Sequence, residues 1–354
     1  MAMAAMVPVS AATSWWATAP GRNLSISAIA SNSRLTTLVI MDGRSYWLQT
    51  RTGKLSSSGD PGPARFVAAA GTEGLVINAD GDLYYLGDHR PAALLQRLPG
   101  QPRGLAIAAG SNPEVVAATT AGLFWGRLGA RLRELPGSRS LPAATALAGP
   151  VVPGQPFVVA NEAGITLLDE QGALRRSPGS PRLGAHAALA ELGDGTILAG
   201  DQAGLIYAHY RSGWTPVFQI LPYGGLGGVP HLTAVLGVGP AAAYVATAGF
   251  GTLLTPDGGF SWYRATPPTA GGQVVALAAL GPVYARSPAG LVLAAGPADL
   301  YLHRLQTLPG PPTYRGASQT AQLLATAAVT AAAALGVILA MWWARRRQRR
   351  RLSV

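Results

Sequence analysis

The 354-residue chain contains no cysteine. That absence excludes a disulfide framework, a thiolate metal site and a cysteine nucleophile. Lysine is nearly absent too, with Lys54 alone among the 27 basic residues. Charged residues make up only 12% of the chain, against about a quarter in ordinary globular proteins. Hydrophobic residues reach 49%, which excludes bulk disorder, since disorder needs low hydrophobicity and high net charge. Before residue 320 there is no long amphipathic stretch, which excludes helical repeat arrays. What is abundant instead is Gly (45) and Pro (28), a composition suited to many short strands joined by turns.

The net charge of +11 is unevenly placed. Arg345, Arg346, Arg347, Arg349, Arg350 and Arg351 carry six of the positive charges, leaving 21 basic and 16 acidic residues, a net of +5, for residues 1–320. A charge held mostly by one short tail gives no phosphate-binding surface, and no nucleic-acid partner is expected.

That tail follows an apolar segment. Gly316 to Ala344 holds no charged residue, and 321–343 reads AQLLATAAVTAAAALGVILAMWW. A helix of this length spans roughly 35 Å, enough for a ~30 Å hydrocarbon core. Trp342 and Trp343 stand where interfacial aromatics belong, and the arginines at 345–351 keep the C-terminus cytoplasmic by the positive-inside rule. The expectation is a single transmembrane helix at 321–343 in contact with membrane lipid, a basic cytoplasmic tail at 344–354, and residues 1–320 outside the plasma membrane. Export of such a domain needs a signal. Residues 1–13 read as a signal-peptide remnant, with small residues Val9-Ser10-Ala11-Ala12 at the cleavage position, and the true start is expected upstream of Met1.

Between the two ends the chain repeats itself. An apolar strand, a small or polar turn ending in Gly and a second apolar strand recur as LVIMDGRSYWLQ (38–49), LVINADGDLYYL (75–86), VVAATTAGLFWG (115–126), FVVANEAGITLLD (157–169), ILAGDQAGLIYAHY (197–210), YVATAGFGTLLTPDG (244–258) and VYARSPAGLVLAAG (283–296). The turn glycines, Gly43, Gly81, Gly122, Gly164, Gly204, Gly251 and Gly290, are 38 to 47 residues apart. A short Ala-rich run precedes each hairpin and a further segment, often ending in Leu-Pro, follows it. Four short strands per ~40–45 residues is the pattern of a propeller blade. The predicted fold is all-β: a seven-bladed β-propeller of four-stranded blades over 14–310, then a linker at 311–320 and the C-terminal transmembrane α-helix. Ser14–Pro20 (SWWATAP) is similar to Ser261–Pro267 (SWYRATP), so it is expected to close the ring against the last blade and remove two open sheet edges. Ser58 is expected in an outer loop.

One repeat carries a signature. Thr255-Pro256-Asp257-Gly258-Gly259-Phe260-Ser261-Trp262 matches S/T-x-D-G-G-x-S/T-W and resembles the BNR or Asp-box propellers, among them sialidases, the sortilin ectodomain and photosystem II assembly factors of the Ycf48 type. The resemblance covers eight residues. It implies a structural turn between the third and fourth strands of a blade, in which Thr255, Asp257, Gly258, Gly259 and Ser261 form the turn and Trp262 packs between blades.

Catalytic patterns are missing. No two of His89, His186, His209, His231 and His303 stand at a metal-ligand spacing, and there is neither a GxSxG elbow nor a GxxxxGK[ST] loop. No catalytic, metal or cofactor site is assigned. Ligands of propellers usually meet the face bearing the turns between second and third strands, where this chain offers Asp42, Asp80, Asp82, Asn161, Glu162 and Asp201. These residue types are equally good turn formers. The functional expectation is a membrane-anchored, extracytoplasmic module that binds a protein partner or helps assemble a membrane complex. The alternative is a cell-surface glycan-binding or sialidase-like glycosidase propeller.

Overall fold

The computed structural model describes residues 15–17, 25–31, 36–49, 52, 54–59, 61–87, 91–185, 187–201, 203–211, 213–220, 232–249, 251–265, 273–280, 291–296, 300–304 and 314–315. The signal-like start at 1–13 and the apolar segment at 321–343 lie outside them, as do Gly290 and His89, His186 and His231. Among the described residues no helix is long and apolar enough to cross a membrane.

Seven antiparallel sheets form a ring. Blade 1 runs outward from the axis as Ile26–Ala30, Thr36–Met41, Arg44–Gln49 and Lys54–Ser57; blade 2 as Ala64–Ala70, Glu73–Asn78, Asp82–Leu86 and Ala93–Arg97; blade 3 as Pro102–Ile107, Glu114–Thr119, Gly122–Arg127 and Arg133–Glu134. Blade 4 is Ala144–Ala148, Phe157–Asn161, Gly164–Leu168 and Leu174–Arg176; blade 5 is Ala188–Glu191, Ile197–Gly200, Leu205–Tyr210 and Gly213–Gln219; blade 6 is Leu232–Gly237, Ala243–Thr247, Gly251–Thr255 and Ser261–Arg264. Blade 7 takes Ala276–Leu280, Leu291–Ala295 and Leu300–Arg304 from the end of the repeat and its outermost strand, Trp15–Ala17, from the start of the chain. Trp15, Trp16 and Ala17 pair with His303, Leu302 and Tyr301, so the segment expected to close the ring does so. The turn glycines Gly43, Gly81, Gly122, Gly164, Gly204 and Gly251 all take positive φ, a conformation that favours glycine.

The core lies between blades. Among the described residues there are seven hydrophobic clusters, each built from two neighbouring blades, and the one formed by Ile26, Val39, Met41, Leu280 and Leu300 joins blade 1 to blade 7. Alternate residues of each second strand serve opposite neighbours: Leu38 and Ile40 face blade 2, whereas Val39 and Met41 face blade 7. A strand buried on both faces needs apolar side chains at every position, which is why these strands read as continuous runs such as LVIM and FVVA.

The inner strands crowd the axis. By register with the second strands, one height of the channel is occupied by Ala30, Ala68, Ala106, Ala148, Ala190 and Ala278, with Leu236 in blade 6. One residue further along, Gly149 and Gly237 let neighbouring strands touch. A Cβ on Gly237 would stand 2.5 Å from the Glu191 carbonyl oxygen, and one on Gly149 would collide with the Ile107 carbonyl.

Three details depart from expectation. Leu291–Ala295, read as the strand after the Gly290 turn, pairs with both Ala276–Leu280 and Leu300–Arg304 and is the second strand of blade 7. Ser58 is buried, with 2% of its surface exposed, and shares a 2.6 Å hydrogen bond with Ser45 Oγ. Tyr314–Arg315, in the segment read as linker, pairs with Trp262 and Ser261 as a fifth strand on blade 6. The outer edge of that blade has free backbone groups that a passing strand can satisfy.

Candidate functional site

The chain reaches the channel mouth through irregular strands. The inner strands of blades 1, 2, 3, 4 and 6 each carry a register shift at the second residue, at Ser27, Arg65, Arg103, Thr145 and Thr233. A bulge leaves its extra residue out of the ladder and re-aims the side chain, and bulges gather at rims and binding sites. All five lie at the strand end next to the turns between second and third strands. Thr233 Oγ1 donates to the Val274 carbonyl at 2.5 Å, which ties blade 6 to blade 7. Thr145 Oγ1 is buried without a partner. Ser27, Arg65 and Arg103 are exposed. Neither arginine makes a hydrogen bond or an ion pair among the described residues, unlike Arg97, Arg139 and Arg175, which pair with Asp82, Glu134 and Asp169. Sequence reasoning did not select Arg65 and Arg103. The signal available was an arginine directly ahead of two apolar inner-strand runs, in PARFVAAA and PRGLAIAA.

The six turn residues named from the sequence lie further out on the same face, in blades 1, 2, 4 and 5, and three of them, Asp42, Asn161 and Asp201, cap backbone in their own blade. Asp42, at φ 49°, accepts the Ser25 backbone N–H at 2.8 Å. Asn161 Oδ1 accepts the Ala163 N–H at 2.9 Å, and Asp201 Oδ1 accepts that of Leu205 at 2.9 Å. In blade 2 the capping role falls to Asn78, whose Oδ1 accepts the N–H groups of both Asp80 and Asp82 while its Nδ2 donates to the Pro61 carbonyl. Asp82 faces Arg97 at 3.6 Å. Asp80 lines an open groove between blades 2 and 3 together with Arg97 and Gln101. Glu162 is exposed at its turn tip. No group of three or more His, Asp or Glu residues able to hold a metal ion occurs among the described residues.

On the opposite face, 255–262 forms the turn between the third and fourth strands of blade 6. Thr255 Oγ1 donates to Asp257 Oδ1 at 3.0 Å and accepts the Gly259 N–H at 2.8 Å; Asp257 Oδ1 also accepts the Ser261 N–H at 2.8 Å. Gly258 and Gly259 take φ of 72° and 110°, a conformation that favours glycine. Trp262 is fully buried between blades 5 and 6, with its Nε1 donating to the Gly259 carbonyl at 2.8 Å. Tyr210 of blade 5 donates its hydroxyl to the Gly258 carbonyl at 2.7 Å and stacks on Phe260. Burial first, then the charges of Asp257 and Asp194, push the Tyr210 pKa up. The hydrogen bonds of Thr255, Asp257 Oδ1 and Trp262 Nε1 all stay within the turn, and that of Tyr210 ties it to the neighbouring blade.

The third feature is the channel. Its lower part is a cavity of about 250 Å³ walled by the inner strands of blades 2 to 6 and lined by aliphatic side chains except at Glu191. Glu191 is 2% exposed, and its Oε2 has no hydrogen-bond partner among the described residues. Burial alone raises its pKa from 4.5 to about 8.

No protein-family model matches the chain, and no curated protein matches it. Solved structures do. A structure described as Ycf48 bound to D1 peptide superposes with a TM-score of 0.57 at 15% identity, covering 83% of this chain and 97% of that one. Ycf48 from Cyanidioschyzon merolae gives 0.58 at 12% identity, with coverage of 82% and 98%. A streptogramin B lyase gives 0.62 at 12% identity, with coverage of 83% and 98%. At these identities the likeness establishes the propeller fold.

Proposed function

We propose that this chain is a non-enzymatic protein-binding or complex-assembly module of the Asp-box kind, and that its binding surface is the channel mouth on the face of the second-to-third strand turns. The observation that carries this is the pair Arg65 and Arg103, exposed on bulges of adjacent blades and unpaired among the described residues. Two free guanidiniums at a rim fit an acidic segment of a partner, because a guanidinium grips a carboxylate bidentately. The likeness to a propeller described with a bound peptide supports the same reading. The apolar stretch at 321–343 with the arginines after it supports anchoring by one span, with the propeller outside the plasma membrane and the tail in the cytoplasm.

Reversing both charges tests the mouth. Arg65→Glu with Arg103→Glu is expected to weaken capture of the partner from solubilised membranes by roughly tenfold or more and to reduce its salt dependence. Both residues are exposed, so thermal stability should stay within about 0.5 kcal/mol of the parent. Capture unchanged by the double reversal would contradict the assignment.

A further inference from the structure

Glu191 ends the inner strand of blade 5, at the end of the channel remote from the arginines. The wall around it is supplied by Ala69, Ile107, Leu147, Val151, Leu189 and Leu236. The elements packed against it bring no charge. Ala144–Ala148, Ile197–Gly200 and Leu232–Gly237 contain no titratable side chain, nor does the loop 149–156. Asp194, in the following loop, is engaged in accepting the Thr196 N–H at 2.9 Å. His209, on the third strand opposite Ile197, has its pKa lowered by burial and is neutral at pH 7. Gln155 gives its Nε2 to the carbonyls of Leu192 and Gly193.

An ionised carboxylate in this wall would stand unpaired, at a cost of several kcal/mol. A protonated carboxyl has one O–H to donate and lacks only an acceptor. The arginines at the far mouth disfavour entry of cations. We propose that the central channel is a binding site for a small neutral aliphatic molecule bearing a carbonyl oxygen, which accepts the hydrogen bond of the Glu191 carboxyl. A carboxylic acid kept neutral by an apolar site donates in this way. With its pKa raised to about 8, the donor is present at pH 6.5 and gone at pH 9.5. The site is separate from the mouth, and its occupancy does not depend on a protein partner.

The test uses the full chain in nanodiscs, titrated with cyclohexanone, N-methylpyrrolidone and methyl isobutyrate and read by saturation-transfer NMR. Cyclohexylammonium and methylcyclohexane are the contrasts, and circular dichroism checks the fold of each variant. At least one carbonyl probe is expected to bind at pH 6.5 and to bind about tenfold more weakly at pH 9.5. Glu191→Gln, whose amide still donates, should keep the binding at both pH values. Glu191→Leu should lose it. The proposal is overturned if no carbonyl probe binds at pH 6.5, if Glu191→Leu binds as the parent does, if wild-type binding is the same at both pH values, or if cyclohexylammonium or methylcyclohexane binds more tightly than every carbonyl probe.

Discussion

Replacing Trp262 with alanine is expected to lower the stability of the propeller by about 3–5 kcal/mol, the range for deleting a large aromatic from a close-packed core. The indole is fully buried in the junction of blades 5 and 6, with Phe218 at a ring-centroid distance of 5.1 Å and Val217, Ile220 and Leu253 in the same cluster. Alanine removes that packing and also leaves the Gly259 carbonyl without its 2.8 Å partner. Trp262→Phe keeps most of the volume and loses the hydrogen bond, so it should cost about 1–2 kcal/mol. Denaturant unfolding of the two variants beside the parent measures both. A loss below about 1 kcal/mol for the alanine variant would mean that the junction can close over the gap, contrary to the tight packing found there.

The second large effect belongs to Glu191 and to pH. A carboxyl whose folded pKa stands at about 8, against 4.5 for an ordinary glutamate, binds its proton more tightly in the folded state. Stability therefore falls as pH rises from about 4.5 to about 8, and the full cost is present above that. A shift of this size amounts to roughly 3–5 kcal/mol. Glu191→Gln removes the titrating group while keeping the shape. The variant should match the parent near pH 5 and exceed it in stability by that amount near pH 9. Melting curves across this range test it, and two parallel pH profiles would show that Glu191 does not titrate in the folded state as described.

Much of the fold was legible because its cause is local. Second strands buried on both faces need unbroken apolar runs, and hairpin turns need glycine, so the repeat stands out in the sequence. The alanines of the inner strands follow from crowding at the axis, and the SWW segment announced a displaced outer strand. What stayed hidden depends on register and on neighbours distant in the chain. A bulge changes no residue type, so Arg65 and Arg103 looked like surface charge until the pairing showed their common place at the rim. Ser58 looked exposed because its partner, Ser45, is distant in the sequence, on the third strand of the blade. The turn residues read equally as ligand face or as turn formers, and the hydrogen bonds show Asp42, Asn161 and Asp201 each capping backbone in their own blade. Glu191 was visible as an acid in an apolar run, but its isolation is a property of three blades together.

We propose an outward-facing propeller whose channel mouth meets a protein partner. The chain has no cysteine, so a single engineered thiol has no background. Ser27→Cys, exposed at the mouth, and Arg131→Cys, exposed on the opposite face in the loop between the third and fourth strands of blade 3, are each coupled in intact cells to a membrane-impermeant thiol-reactive photo-cross-linker. Both thiols are expected to react without lysis, and irradiation is expected to give a discrete protein adduct from position 27 and none from position 131. Reaction only after lysis, or an adduct from position 131 alone, would contradict it.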